Sequence, residues 1–276
     1  VDIRYATSPT EIGSMDTDAL RDRFLVEDLF TPGEVSVTYS HQDRVVLVGA
    51  VPTDRPLGLV APAELRAEHF LSRREIGIVN VGAAGTVTVD GAAYELIHGA
   101  CLYVGRGAEH VTFASSDTAE PARFYGFSAP AHTAYPTTLV RPGEGNVREL
   151  GEQSTSNRRT LNQYIHADGV RSCQVVMGVT TLHEGSMWNT MPAHTHDRRM
   201  EAYLYFDLPD EARVLHLMGE PTQTRHVVIA NEQAVISPSW SVHSGVGTSA
   251  YSFVWAMAGE NQSFDDMDHV QVTELR

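Results

Sequence analysis

The sequence predicts an all-β protein in which a sandwich or barrel is built twice along one chain. Short runs of β-branched and aromatic residues recur between glycine and proline turn signals at the ~8–12-residue spacing of sandwiches and barrels. Helical periodicity is scarce, and the order of motifs in the first half returns in the second.

The first element is the exception. Residues 16–30 (DTDALRDRFLVEDLF) read as a short helix, with Asp16 placed to cap it and Leu20, Phe24 and Leu25 on one face. Strand candidates follow: VSVTYS, RVVLVGAV, IGIVNVG, TVTVDG, CLYVG, HVTFAS and RFYGFS, then CQVVMGVTTL, EAYLYFDL, RVLHLM, RHVVIA, QAVISPS and YSFVWAM. Arg73, Arg74 and Glu75 lead into a strand, a hairpin and a further strand segment with His110. Arg198, Arg199 and Glu201 lead into the same series, with His243. A duplicated barrel accounts for the shared order. The stretch 141–160, rich in Gly, Ser, Asn and Pro, is then the linker between an N-terminal barrel over 1–140 and a C-terminal barrel over 161–276.

At 276 residues, 42% hydrophobic and 20% charged, the composition is that of an ordinary soluble globular protein. A net charge of −15 with no Lys/Arg-rich run argues against phosphate tracking, and no helix-turn-helix with a basic recognition helix is visible. Nucleic acid is therefore not expected as a partner. The same charge repels an acidic ligand at long range, so such a ligand needs local arginines; the pairs at 73 and 74, 158 and 159, and 198 and 199 are candidates. Cys101 and Cys173 lack CxxC spacing and read as buried free thiols. No leader pattern and no apolar run near the ~18 residues of a membrane span is present, so a cytoplasmic protein without a membrane partner is expected.

The chemistry concentrates in MPAHTHDRRMEAYLYF, residues 191–206. In an extended strand His194 and His196 face the same side. Glu201 stands at odd spacing from them; a turn or bulge at Asp197, Arg198 and Arg199 resets the phase and turns Glu201, Tyr203 and Tyr205 inward together. The best fourth donor is His243, ahead of a glycine-rich turn and the strand YSFVWAM. Three imidazoles and one carboxylate suit one divalent metal per chain, whether zinc, manganese, iron, nickel or cobalt. The first half has Phe70, Leu71 and Ser72 where the paired histidines would stand, so its barrel is expected to lack a metal site.

HxH, a glutamate five residues on and a later PxxxxH are together similar to the metal-binding pattern of the cupin superfamily, which implies a double-stranded β-helix, here duplicated as a bicupin with a few short helices. TSNRRT (155–160), WNTMPAHTHDRRME (188–201), NEQAVISPSWSVHSGVGT (231–248) and GENQSFDDMDHV (259–270), with FLVEDLF, YSHQDR and APAHTAYPT, extend the likeness over nearly the whole chain. With these motifs the chain resembles the 5-keto-4-deoxyuronate isomerase family of pectin (oligogalacturonide) breakdown. The resemblance implies zinc as the metal, held by His194, His196, Glu201 and His243, in a cytoplasmic enzyme that is commonly a homo-hexamer. The implied substrate is a small uronate: 5-dehydro-4-deoxy-D-glucuronate is converted into 3-deoxy-D-glycero-2,5-hexodiulosonate.

Such a ketol-isomerase, an intramolecular oxidoreductase, transfers a proton beside a carbonyl through an enediolate that a metal stabilises. For the proton transfer Glu201, Tyr203 and His226 are put first, followed by His183, His216, Tyr205 and the acidic cluster Asp265, Asp266 and Asp268 beside His269. The substrate carboxylate calls for a planar fork of donors, for which Arg199 and Arg225 are the first candidates, with Arg158 and Arg159 behind them. The ligand set alone also suits a cupin dioxygenase or a non-catalytic uronate-binding cupin; the extent of the resemblance favours the isomerase.

Overall fold

Strands Val46–Ala50, Arg74–Asn80 and Arg199–Phe206 are buried along their whole length, so the sheets that contain them must be covered on both faces. The computed structural model, which describes residues 1–276, shows what covers them. Each half forms a barrel from one seven-stranded and one four-stranded sheet. In the first, the large sheet runs Asp2–Arg4, Val35–Ser40, Val46–Ala50, Phe124–Pro130, Arg74–Asn80, Cys101–Val104, Thr138–Val140. In the second it runs Asn146–Leu150, Arg159–Ile165, Val176–Leu182, Ser252–Gly259, Arg199–Phe206, Ala234–Ser237, Leu25–Val26.

Strand alternation divides most of the apolar residues into three large cores, beside a small cluster of Ala193, Val242 and Val270. Val46, Val48, Ile76, Ile78, Leu102 and Phe124 fill the first barrel. Tyr203, Tyr205, Phe253, Trp255 and Met257 fill the second. The opposite faces of the two large sheets meet: Leu47, Val79, Tyr103 and Phe127 belong to one cluster with Met177, Ala202, Leu204, Val254 and Ala256. The fully buried Glu75 is the polar clamp of this interface. Its carboxylate accepts from the backbone N–H of Cys173 (2.7 Å), Gln174 (2.7 Å) and Val175 (2.9 Å) and from the Tyr103 hydroxyl (2.8 Å).

The structure corrects the expected boundaries. The N-terminal helix is shorter than its sequence pattern: it covers Thr17–Phe24, with Asp16 Oδ1 accepting from Ala19 N at 2.9 Å, and ends because Leu25–Val26 pairs with Val235 and Ala234 of the second barrel. The segment around it therefore packs on the C-terminal barrel, Ile12, Leu20 and Phe24 entering that core, and 1–140 is not one unit. Nor is 141–160 all linker. Asn146–Leu150 pairs with Arg159–Ile165 as the outer strands of the second large sheet, so the connection proper is 141–145. Cys101 is buried and Cys173 half-buried, and both are free.

The internal repeat keeps the arginine pairs of the sequence reading in step but not its glutamates. Arg74 opposes Pro130 as Arg199 opposes Gly259, and two residues further on Ile76 opposes Ser128 as Glu201 opposes Met257. The counterpart of Glu201 is thus Ile76, inside the first barrel, while Glu75 points the other way. His110 is exposed, edge-on to His69 at 5.6 Å. No helix is long and apolar enough to cross a membrane.

Glu75→Ala leaves three buried N–H groups and a phenol without their acceptor, so chemical denaturation is expected to show a loss of about 3 kcal/mol or more. A loss no larger than that of a surface substitution would refute the clamp.

Candidate metal centre and pocket

His194 and His196 reach the barrel interior from a segment that leaves the main sheets. His194–Thr195 pairs with Asp268–His269, and the chain then turns at Asp197 and Arg198, with Arg199 N bonded to His196 O at 3.2 Å, before entering Arg199–Phe206. That turn resets the strand phase, and Glu201 faces inward beside the histidines. His243 comes from the residue preceding Ser244–Gly247 in the small sheet.

The donor atoms of His194, His196, Glu201 and His243 all lie within 4.8 Å of one another, and all four residues are buried. His194 Nε2 stands 2.9 Å from His243 Nε2, and Glu201 Oε2 stands 2.9 Å from His243 Nε2 and 3.1 Å from His196 Nε2. In two of the three histidines the other ring nitrogen faces a carbonyl: His196 Nδ1–H donates to Arg199 O at 2.9 Å and His243 Nδ1–H to Ser241 O at 3.3 Å. Those bonds place the protons of His196 and His243 on Nδ1, so their Nε2 lone pairs converge on a carboxylate oxygen in a buried space. Converging acceptors call for a shared cation, and three nitrogens with one carboxylate oxygen fit a divalent transition metal.

The surroundings hold the set in its ligating state. Burial, with His243 beside it, lowers the His194 imidazole to about 2, so it stays neutral. Burial pushes the Glu201 carboxyl up, and it is positive charge close by, on His243 and His196 when they are protonated or on a cation shared with their Nε2 atoms, that keeps the group well below the usual carboxylate range.

A cavity of about 260 Å³ opens against this cluster, lined by His194, Glu201, Tyr203, Phe253 and Trp255, with Phe264, Met267 and His269 at its mouth and Arg159 and Thr190 at its side. The volume is below the ~300–1,000 Å³ of drug-sized sites, and suits one small molecule.

The family model described as KduI/IolB matches residues 24–272. The chain belongs to the KduI/IolB family. It is 67% identical over 276 residues, 99% of both chains, to a protein of Kineococcus radiotolerans named 4-deoxy-L-threo-5-hexosulose-uronate ketol-isomerase. Proteins of the same name from Shouchella clausii and Escherichia coli are 54% and 53% identical over the full length of both chains. The expectation of an isomerase is borne out by these relatives. Among solved structures, an IolB-like protein from Salmonella typhimurium superposes with a TM-score of 0.73 at 15% identity, over 90% of this chain and 97% of that one. A Lactobacillus farciminis oxalate decarboxylase does so at 0.57 and 8%, over 83% and 80%. The duplicated cupin fold is likewise borne out.

Within this KduI/IolB architecture several expected site residues lie elsewhere. Arg199 is 1% exposed, and its guanidinium is spent on the strap 260–269 that crosses the mouth: Nη1 donates to Ser263 O, and Nη2 to Phe264 O at 3.0 Å and Asp266 O at 3.1 Å. Arg198 fastens the same strap through Asp266 (2.6 Å) and Asp268 (2.9 Å). Neither Arg199 nor Arg225 is presented to the cavity. Arg225 lies where the N-terminal segment covers the barrel, and donates to Gly13 O at 3.2 Å. His226 is exposed on the outer face of its strand. His183 is outside as well, 2.8 Å from Thr160 Oγ1.

Tyr203 does line the cavity, its hydroxyl 3.0 Å from Thr190 Oγ1, and burial raises it well above the ordinary tyrosine value, so it is a donor and not a base. His216 lies deeper, fully buried, with Nδ1 2.7 Å from the Tyr205 hydroxyl and Nε2 without a partner. Two cavity residues escaped the first choices: Arg159, whose signal was its place in TSNRRT, and His269, whose signal was its place after the acidic run.

Arg199→Ala should untie the strap, with backbone amide exchange at 263–270 accelerating roughly tenfold or more; unchanged protection there would refute the fastening role. Burial, then His243, holds His216 down at about 3, while the unfolded side chain titrates near ~6.5. The unfolded chain thus takes up a proton that the folded one refuses. This contribution to stability is intact above about 6.5 and is lost progressively as pH falls towards 3. Urea midpoints across that window should fall less steeply in His216→Gln.

Proposed function

We propose that the protein is a zinc-dependent ketol-isomerase converting 5-dehydro-4-deoxy-D-glucuronate into 3-deoxy-D-glycero-2,5-hexodiulosonate in the breakdown of pectin-derived oligogalacturonides. The observation that carries the reading is the buried cluster of three histidines and a glutamate facing a cavity of single-sugar size, in a chain so close to relatives named for this activity. The family resemblance supports a cytoplasmic homo-hexamer as its working form.

When bound, the metal supplies Lewis-acid polarisation of the substrate's carbonyl and adjacent hydroxyl. Glu201 faces the imidazoles through Oε2, which leaves Oε1 to take the proton from C2 and return it to C1, while the C2 hydroxyl proton passes to the C1 oxygen as C2 becomes the carbonyl. Tyr203, kept protonated by burial, donates its hydroxyl to the oxygen on which negative charge develops. Phe264 and Met267, held over the mouth by Arg198 and Arg199, exclude water while that charge exists. The chain contains no lysine, so a Schiff base between the substrate carbonyl and a lysine amine has no place in the mechanism.

Elemental analysis is expected to find roughly one zinc per chain, and chelation or His243→Ala to lower turnover by more than about a hundredfold with the metal lost. Metal binding with no isomerisation would overturn the reading, and oxygen uptake by the same sample would replace it with an oxygenase.

A further inference from the structure

The cavity has a second polar end that the donor cluster does not explain. Arg159 is the one arginine on its wall, and in a lysine-free chain it is therefore the one permanent cation there. It begins the strand Arg159–Ile165 and faces the cavity together with Leu161, two residues along. Most of the remaining wall is apolar, including Leu150, Phe253, Trp255 and Met257.

The guanidinium is held but not used up. Nη1 donates to Asn157 O at 2.8 Å. Asn157 is itself fixed, its Oδ1 accepting from Glu152 N at 2.9 Å and Thr155 Oγ1 at 2.7 Å. This single bond orients the plane and leaves free the Nε and Nη2 edge, the one that meets a carboxylate with two parallel bonds. Arg159 has no carboxylate partner, whereas Arg198 has two. Burial lowers its pKa, Tyr203 and Tyr251 opposing the shift, so a partly desolvated cation stands uncompensated beside the cavity. In a chain of net charge −15, an acidic ligand would gain from meeting positive charge here.

We propose that Arg159 is the specificity-determining residue of this site: it takes the terminal carboxylate of an open-chain hexuronate whose carbonyl end lies at the histidine and glutamate cluster. This rests on the isomerase reading. The two polar ends and the apolar wall between them make the site a gauge for a carboxylate and a carbonyl at opposite ends of one short chain. Neutral aldoses satisfy only one end.

The test compares wild type, Arg159→Lys and Arg159→Gln on the uronate and on its neutral carboxamide. Arg159→Gln is expected to raise KM for the uronate roughly 100-fold with a smaller change in kcat, and Arg159→Lys to recover part of the loss. Turnover of the carboxamide should stay within about threefold of wild type in both variants, with metal content unchanged. Equal losses on both substrates would mean that Arg159 only braces the Asn157 turn, and would overturn the proposal. If wild type itself turns over neither compound, calorimetry with D-galacturonate separates the two ideas: binding lost in Arg159→Gln upholds the carboxylate contact while the isomerase reading falls, and binding retained overturns the contact too.

Discussion

A carboxylate placed among imidazole lone pairs, away from water, is the constraint on which the second barrel depends. Glu201 cannot remain ionised in such a place without opposing charge and a rigid shell, because burial alone would return its proton. The surrounding structure supplies the shell. The turn at Asp197 and Arg198 brings two histidines to the same side as Glu201, carbonyls of Arg199 and Ser241 fix the rings of His196 and His243, and the small sheet carries His243 in from the opposite wall. Arg198 and Arg199, beside these donor residues in sequence, are spent on fastening the strap over the mouth.

The two barrels use the same framework for different ends. At the position where the second barrel carries Glu201 the first carries Ile76, so its interior is a continuous apolar core. Its glutamate, one residue earlier, lies on the opposite face and binds the N–H groups of 173–175 across the interface. A one-residue difference in spacing from the arginine pair thus turns a donor position facing the barrel interior into an adhesive one, since strand side chains alternate with period two.

The strands with dense β-branched and aromatic residues were legible in the sequence, because both faces of the large sheets are buried. Ala92–Leu96 and Asn146–Leu150 were not: they lie mostly exposed at sheet edges and carry no apolar alternation. The helix was misjudged at its C-terminal end because Leu25 and Val26 satisfy a helical pattern and a strand pairing equally well, and the partner lies more than two hundred residues away. The four donors could be read from spacing and resemblance together. The arginines could not, since their roles depend on which carbonyls lie within reach: Arg199 meets the strap, Arg225 meets Gly13, and only Arg159 is left facing the cavity. For His226 strand pairing gives the reason. His216 opposes Val227, both point inward, and the intervening parity sends His226 out.

The short pairing of Leu25–Val26 with the second barrel has an evolutionary consequence. Asp2–Arg4 and Val35–Ser40 on either side of it belong to the first barrel, so the chain crosses to the second and returns before the first is complete. Whatever independence two fused copies once had is gone, because a C-terminal half on its own would lack an edge strand and the helix that covers its core. The half that carries the donor cluster is completed by a segment embedded in the other, so the barrel without such a cluster is structurally part of the one that has it.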